Sequence, residues 1–240
     1  MIGVFDSGIG GLSVLEELEK VLPNEDFYYY GDSINNPYGE KSDQELLEIT
    51  SHIVDVLKEN GAKIIVIACN TATTRVMKKL REKYPKMIFV GTVPAIKVAS
   101  DHDSKNTLVM ATEATIHSLR TAELIRDNKR KDQNIYLVSC PGLANAIETK
   151  NEEKIKSILQ ETFLPYKDKN IDTIVLGCTH YPFIKKEILE EMPGVKLVDG
   201  SQGVSMETKR QLTENNLLDE RVHERKIIIY NSLTKTKIVK

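Results

Sequence analysis

Cysteine is scarce in this sequence. Three occur in 240 residues, Cys69, Cys140 and Cys178, odd in number and widely spaced. That is no disulfide framework, so reduced thiols are expected. A surplus of charge of one sign is also missing. Lys and Arg number 33 against 35 Asp and Glu, for a formal net charge of -2, which argues against a general nucleic-acid or polyanion binder. Long apolar runs are absent. The longest, Ile64 to Cys69, falls far short of the ~20 residues that a membrane span needs. The opening MIGVFDSG has no basic segment leading into an apolar stretch, so no signal peptide and a cytoplasmic location are expected. With 40% hydrophobic and 28% charged residues, the composition is ordinary and globular, which excludes disorder, collagen-like repeats and a coiled-coil rod. The length exceeds the usual ~100–150 residues of one domain, so one large or two small domains are expected.

What is present is alternation. Short apolar runs predict strands at Ile2–Phe5, Phe27–Tyr30, Ile64–Ala68, Met87–Val90, Thr107–Ala111, Ile135–Ser139, Thr173–Leu176, Val195–Val198 and Lys226–Tyr230. Several are near-continuous β-branched runs, as parallel strands buried on both faces require. Helical patterns lie between them. The clearest spans Ser42–Asn60, with Ser42 as N-cap, Glu45 completing a capping box and Gly61 ending it. Leu12–Leu22 is another, stopped by Pro23. Strand–helix alternation from end to end predicts an α/β fold with mainly parallel sheets flanked by helices.

An internal echo points to two related halves. Ala62-Lys-Ile-Ile-Val-Ile-Ala-Cys69-Asn-Thr-Ala resembles Ile171-Asp-Thr-Ile-Val-Leu-Gly-Cys178-Thr-His-Tyr. Ile2-Gly-Val-Phe-Asp6-Ser and Leu108-Val-Met-Ala-Thr112-Glu likewise place polar residues just past a strand, about 107 residues apart. Parallel α/β sheets put ligands at the carboxyl ends of strands, where all four clusters sit.

Each cluster has a plain reading beside a chemical one. Asp6-Ser-Gly-Ile-Gly-Gly-Leu12 is a glycine-rich turn, but a dinucleotide fingerprint would need a third glycine where Ser13 stands. Asp6 is left either to cap the following helix or to act as a functional acid, with the turn's N–H groups holding a small carboxylate ligand. A lone strand-end cysteine is usually a small buried hydrophobe. Two at equivalent places, each followed by hydroxyl or amide groups, favour reagents. A thiol needs a nearby base or positive dipole to act at neutral pH, and Asp6 for Cys69 and His180 for Cys178 are the expected partners. Zinc on Cys69, Cys178, His180 and Cys140 competes, but no C-x-x-C or H-x-x-x-H spacing supports it, and no metal is expected. A redox dithiol lacks its C-x-x-C motif too. Cys140 is expected to be structural, and His52, His102, His117 and His223 to have no chemical role.

Together these residues resemble the cofactor-independent glutamate racemases of the aspartate/glutamate racemase superfamily. The resemblance is carried by Phe5-Asp6-Ser7-Gly8-Ile9-Gly10-Gly11, Gly31-Asp32 with Pro37-Tyr38-Gly39, Cys69-Asn70-Thr71-Ala72, Ala111-Thr112-x-x-Thr115, and Gly177-Cys178-Thr179-His180-Tyr181-Pro182, in the family's order. It implies catalytic thiols at Cys69 and Cys178, assisted by Asp6, His180 and Glu148. It implies substrate contacts at Asp6, Ser7, Pro37, Tyr38, Gly39, Asn70, Thr71, Thr179 and His180, with Thr112 and Thr115 as further contacts. Two departures stand out. Asn35-Asn36 precede Pro37 where members often carry Ala-Arg, and the C-terminus is short, which is expected to touch no catalytic motif.

The implied fold is two pseudo-symmetric domains, 1–93 with 203–240 and 94–202, with the active site in the cleft between them. The implied reaction is interconversion of L- and D-glutamate by two acid/bases on opposite faces of the α-carbon, Cys178 starting from the L and Cys69 from the D enantiomer. D-Glutamate would serve peptidoglycan synthesis. No cofactor is expected, since nothing suggests a Schiff-base lysine with a phosphate cradle. Glutamate is the expected partner, within a homodimer, with no nucleic acid or membrane. An aspartate racemase and a non-catalytic amino-acid-binding protein are the alternatives.

Overall fold

The structure is a computed structural model and describes residues 1–221 and 223–240. The chain divides into two compact units, Met1–Thr92 with Ser201–Lys240, and Val93–Gly200. In chain order the first unit begins β1 (Ile2–Asp6), α1 (Leu12–Val21), β2 (Phe27–Gly31), α2 (Asp43–Glu59), β3 (Ile64–Ile67), α3 (Asn70–Lys83) and β4 (Ile88–Gly91). The second unit holds α4 (Ile96–Asp101), β5 (Asn106–Ala111), α5 (Glu113–Ile116), α6 (Leu119–Asn128), β6 (Asn134–Ser139), α7 (Leu143–Glu148), α8 (Glu152–Phe163), β7 (Thr173–Gly177), α9 (Lys185–Glu191) and β8 (Lys196–Val198). The chain then returns to the first unit with α10 (Ser201–Glu214), β9 (Ile227–Asn231) and β10 (Lys237–Val239).

The echo in the sequence is an echo in topology. The second sheet runs β6-β5-β7-β8, all parallel, and the first contains β2-β1-β3-β4 in the same relative order, also parallel. The two Cys-bearing runs are thus β3 and β7, and the two polar-tailed runs are β1 and β5. The first sheet adds β9, parallel to β2, and β10, antiparallel to β9.

Period-two burial builds both sheets into three layers. In β1 and β3, Phe5, Ile65 and Ile67 face Leu46, Ile53, Val54 and Leu57 of α2 and Val76 and Leu80 of α3. The alternate residues Ile2, Val4, Ile64 and Val66 face Val14, Leu15 and Leu18 of α1 and Val204 and Leu212 of α10. In the second unit, Leu108, Met110, Ile174 and Leu176 face α7, α8 and α9, while Val109 and Val175 pack with Ile96, Ala99 and Leu124 of α4 and α6. Truncating one of these fully buried side chains, such as Leu57→Ala, costs about 2–5 kcal/mol.

The helix signals hold at their positions. The Ser42 hydroxyl accepts the Glu45 N–H while the Glu45 carboxylate accepts the Ser42 N–H, a complete capping box. Gly61 follows at φ +87°, a left-handed turn that suits glycine. The expected strands occur with ends shifted by a residue or so. β10 was not among them: Ile238 and Val239 are exposed, so this edge strand buries no face and shows no alternation.

Candidate active site

In the first unit the site forms where β1 and β3 end side by side. Gly11 lets the chain turn tightly here, since a Cβ would sit 2.7 Å from the Asp6 Cβ and 2.9 Å from the Ala68 Cβ. The Tyr29 hydroxyl pins the turn by donating to the Gly8 carbonyl at 2.6 Å. Asp6 is fully buried. The N-cap position of α1 is Gly11. The Asp6 Oδ1 accepts the Ser7 N–H at 2.5 Å and the Ser7 hydroxyl at 3.1 Å. The Cys69 thiol lies 4.0 Å from the same Ser7 oxygen and donates to it. Ser7 therefore touches both the thiol and the carboxylate expected to partner it. Cys69 is also the N-cap of α3, an end whose dipole favours negative charge.

Asn70 and Thr71 open α3 and are buried. The Asn70 Oδ1 is buried and accepts no hydrogen bond among the described residues. A buried acceptor left open is costly, which points to a donor on a ligand.

The segment after β2 supplies the rest of this half. Its Asn36–Pro37 peptide is cis, and Tyr38 is buried while Gly39 is exposed. The Tyr38 hydroxyl donates to Asp32 Oδ2 at 2.8 Å. Burial, reinforced by the Asp32 charge, holds the phenol well above its ordinary range, so it stays a donor. Arg75 of α3 donates to the Tyr38 carbonyl at 3.4 Å and pairs with Asp43 at 2.6 Å. Asp32 itself receives Asn35 and Ser232, at 3.0 Å from each. Neither Asp32 nor Ser232 had been picked out as a site residue. Ser232 belongs to the C-terminal segment, which reaches this half of the site through its bond to Asp32.

The second unit repeats the plan with different parts. Cys178 follows β7, and its Sγ lies 3.7 Å from His180 Nδ1. The other ring nitrogen, Nε2, is 2.8 Å from Glu148 Oε1 at the end of α7. His180 is only 2% exposed and the Glu148 side chain 13%, so the pair is shielded from water. A short turn holds this geometry, with the Tyr181 N–H donating to the Cys178 carbonyl at 3.1 Å. Thr179 is buried between thiol and imidazole in sequence. Ala111 pairs with Gly177 across β5 and β7, so Thr112 leaves the sheet beside Cys178. Thr112 caps α5, its hydroxyl donating to that of Thr115 at 3.0 Å.

Cys140 is a free, buried thiol, as Cys69 and Cys178 are. It ends β6, buried in the core, and burial pushes its thiol up to about 12.

Two α/β units with like-ordered parallel strands, each with a buried thiol just past a strand and a carboxylate one group away, describe a class: enzymes built from a repeated α/β module. The family model for Asp/Glu/Hydantoin racemase matches residues 2–203, and the chain belongs to this family. It is a cofactor-independent racemase, an isomerase. A glutamate racemase from Clostridium perfringens is 43% identical over 243 aligned positions, covering 99% of this chain and 93% of the relative. The solved glutamate racemase from Francisella tularensis, in complex with D-glutamate, superposes with a TM-score of 0.82 at 32% identity, covering 96% of this chain and 87% of that one. The Escherichia coli glutamate racemase, in complex with L-glutamate and the activator UDP-MurNAc-Ala, gives 0.83 at 32%, covering 96% and 88%. No described helix is long and apolar enough to cross a membrane.

Proposed function

We propose that this chain is a glutamate racemase in which Cys69 and Cys178 act on opposite faces of the substrate α-carbon. One observation carries the reading. Each thiol has a carboxylate behind it through a single intermediate group, Ser7 to Asp6 for Cys69 and His180 to Glu148 for Cys178. Two separate acid/base assemblies suit a reaction that removes a proton from one face and delivers another to the other.

In the L-to-D direction, the Cys178 thiolate takes the α-proton and Cys69 delivers its own to the opposite face; the reverse direction exchanges the roles. His180 accepts the Cys178 proton beforehand, and Glu148 supports the imidazolium that forms. Asp6, through Ser7, does the corresponding work at Cys69. The open Asn70 Oδ1 takes the substrate ammonium, while Thr71, Thr179, Thr112, Thr115 and the Pro37–Gly39 segment bind and enclose the rest. Hydrogen bonds to the developing carbanion and exclusion of water lower the barrier without a cofactor or metal.

The three cysteines are free thiols, which suits a cytoplasmic location. The D-glutamate formed serves peptidoglycan synthesis, the use the resemblance implies, and a homodimer is the assembly it implies. The reading is tested by following optical rotation or circular dichroism of purified protein with L- and D-glutamate and with L- and D-aspartate. Turnover of glutamate in both directions is expected. Turnover of aspartate alone would move the assignment to an aspartate racemase, and turnover of neither would leave a binding protein.

A further inference from the structure

The geometry points to Ser232 as a positioning residue for substrate binding, acting through Asp32 on Tyr38; the inference rests on the binding role given above to the Pro37–Gly39 segment. Ser232 lies just past β9, beyond residues 2–203 that match the family model. It is nonetheless fastened to residues 31–34, which lead into that segment, by three hydrogen bonds. Its N–H donates to the Gly31 carbonyl at 2.9 Å, its hydroxyl donates to Asp32 Oδ1 at 3.0 Å, and the same oxygen accepts the Ile34 N–H at 3.1 Å. Asn231 adds a fourth link, to the Ser33 hydroxyl at 2.9 Å.

The chain of contacts ends at the site. Ser232, Asp32 and Tyr38 are 6%, 1% and 2% exposed, so water does not compete for these bonds. With Oδ1 held by Ser232, the carboxylate turns Oδ2 toward the Tyr38 hydroxyl at 2.8 Å. Asn35 Nδ2 bridges both oxygens, at 3.1 and 3.0 Å, and so cannot by itself choose between them. The serine hydroxyl is used twice, once as donor and once as acceptor, and alanine loses both. A freed Asp32 lets Tyr38 shift, and with it the Gly39 backbone, around whose Cα nothing packs within 4 Å of a notional Cβ.

Such a role predicts a defect in binding and not in chemistry. Ser232→Ala should raise KM for both enantiomers about three- to tenfold, the worth of the single Asp32–Tyr38 contact it loosens, while kcat stays within about twofold. Ser33→Ala, which cuts only the Asn231 link, should leave KM unchanged. Tyr38→Phe should raise KM as Ser232→Ala does, and the double variant should be no worse than Tyr38→Phe, because the serine acts through that hydroxyl. If Ser232→Ala is too unstable to assay, Ser232→Cys carries the same reading. An unchanged KM in the serine variant, an equal rise in Ser33→Ala, or additive effects with Tyr38→Phe overturns the proposal. An unchanged KM in Tyr38→Phe overturns the binding role of the segment itself, and the proposal with it.

Discussion

His180 presents one ring nitrogen to the Glu148 carboxylate at 2.8 Å and the other to the Cys178 sulfur at 3.7 Å. The carboxylate favours a proton on Nε2, which leaves Nδ1 as the acceptor facing the thiol. When Nδ1 takes the thiol proton, the resulting imidazolium sits between two anions. On the proposed mechanism, Glu148 stabilises the thiolate–imidazolium state through the imidazole.

His180→Asn should therefore lower kcat most in the direction where Cys178 starts as base, from L-glutamate, by about a hundredfold or more. Glu148→Gln should show the same bias at smaller size. Enantiomers have equal free energy, so kcat/KM must fall equally in both directions for any variant. The bias is read in kcat, with KM compensating. Losses of kcat that match in both directions would remove His180 from proton transfer and leave it a binding role.

Asp6→Asn and Ser7→Ala should bias kcat the opposite way, against the direction that starts at Cys69. The contacts of Ser7 with both Asp6 and Cys69 motivate this. Steady-state kinetics from each enantiomer check it. An Asp6 variant with the His180 pattern would contradict the pairing of acid to thiol.

Cys69→Ala and Cys178→Ala should each reduce racemisation by at least about 10²–10⁴-fold, the usual worth of a positioned acid/base. Cys140→Ala should retain it, and a chelator should leave the native enzyme unaffected. A comparable loss in the Cys140 variant would make that thiol a reagent, and a loss to chelator would reinstate a metal.

Cys140 also predicts an alkaline limb of stability. Burial raises its thiol from 9.0 to about 12, so the native state favours the neutral form. Its contribution is complete below about 9 and is lost as pH rises toward about 12, because the unfolded thiol ionises first. Tyr38 and Tyr181, also raised by burial, act with the same sign. Denaturant midpoints measured across this window should fall more gently in Cys140→Ala than in the native protein. Equal slopes would contradict the assignment.

The fold was legible because its strands are local apolar runs and α2 carries its own capping box. Glu148 could be reached only through resemblance: it lies 32 residues from His180, and the packing of α7 against the turn after β7 brings them together. Ser7 looked like a ligand contact, since no spacing rule puts a hydroxyl between a thiol and a carboxylate. Ser232 gave no signal at all. Its partner Asp32 is 200 residues away, and only the return of the C-terminal segment to the first sheet joins them. Tertiary packing, not local propensity, made each of these pairs.

The central claim is two bases on two faces, and proton exchange in deuterated water tests it most directly. Each thiol exchanges its hydrogen with solvent between turnovers. The thiol that protonates the second face therefore delivers deuterium, while the abstracted proton stays on the first thiol and returns with it if the carbanion collapses backwards. The account predicts that product carries solvent deuterium from the first turnovers while remaining substrate stays protonated, starting from either enantiomer. Substrate that gains deuterium as fast as product appears would mean one thiol serving both faces, and would contradict the account.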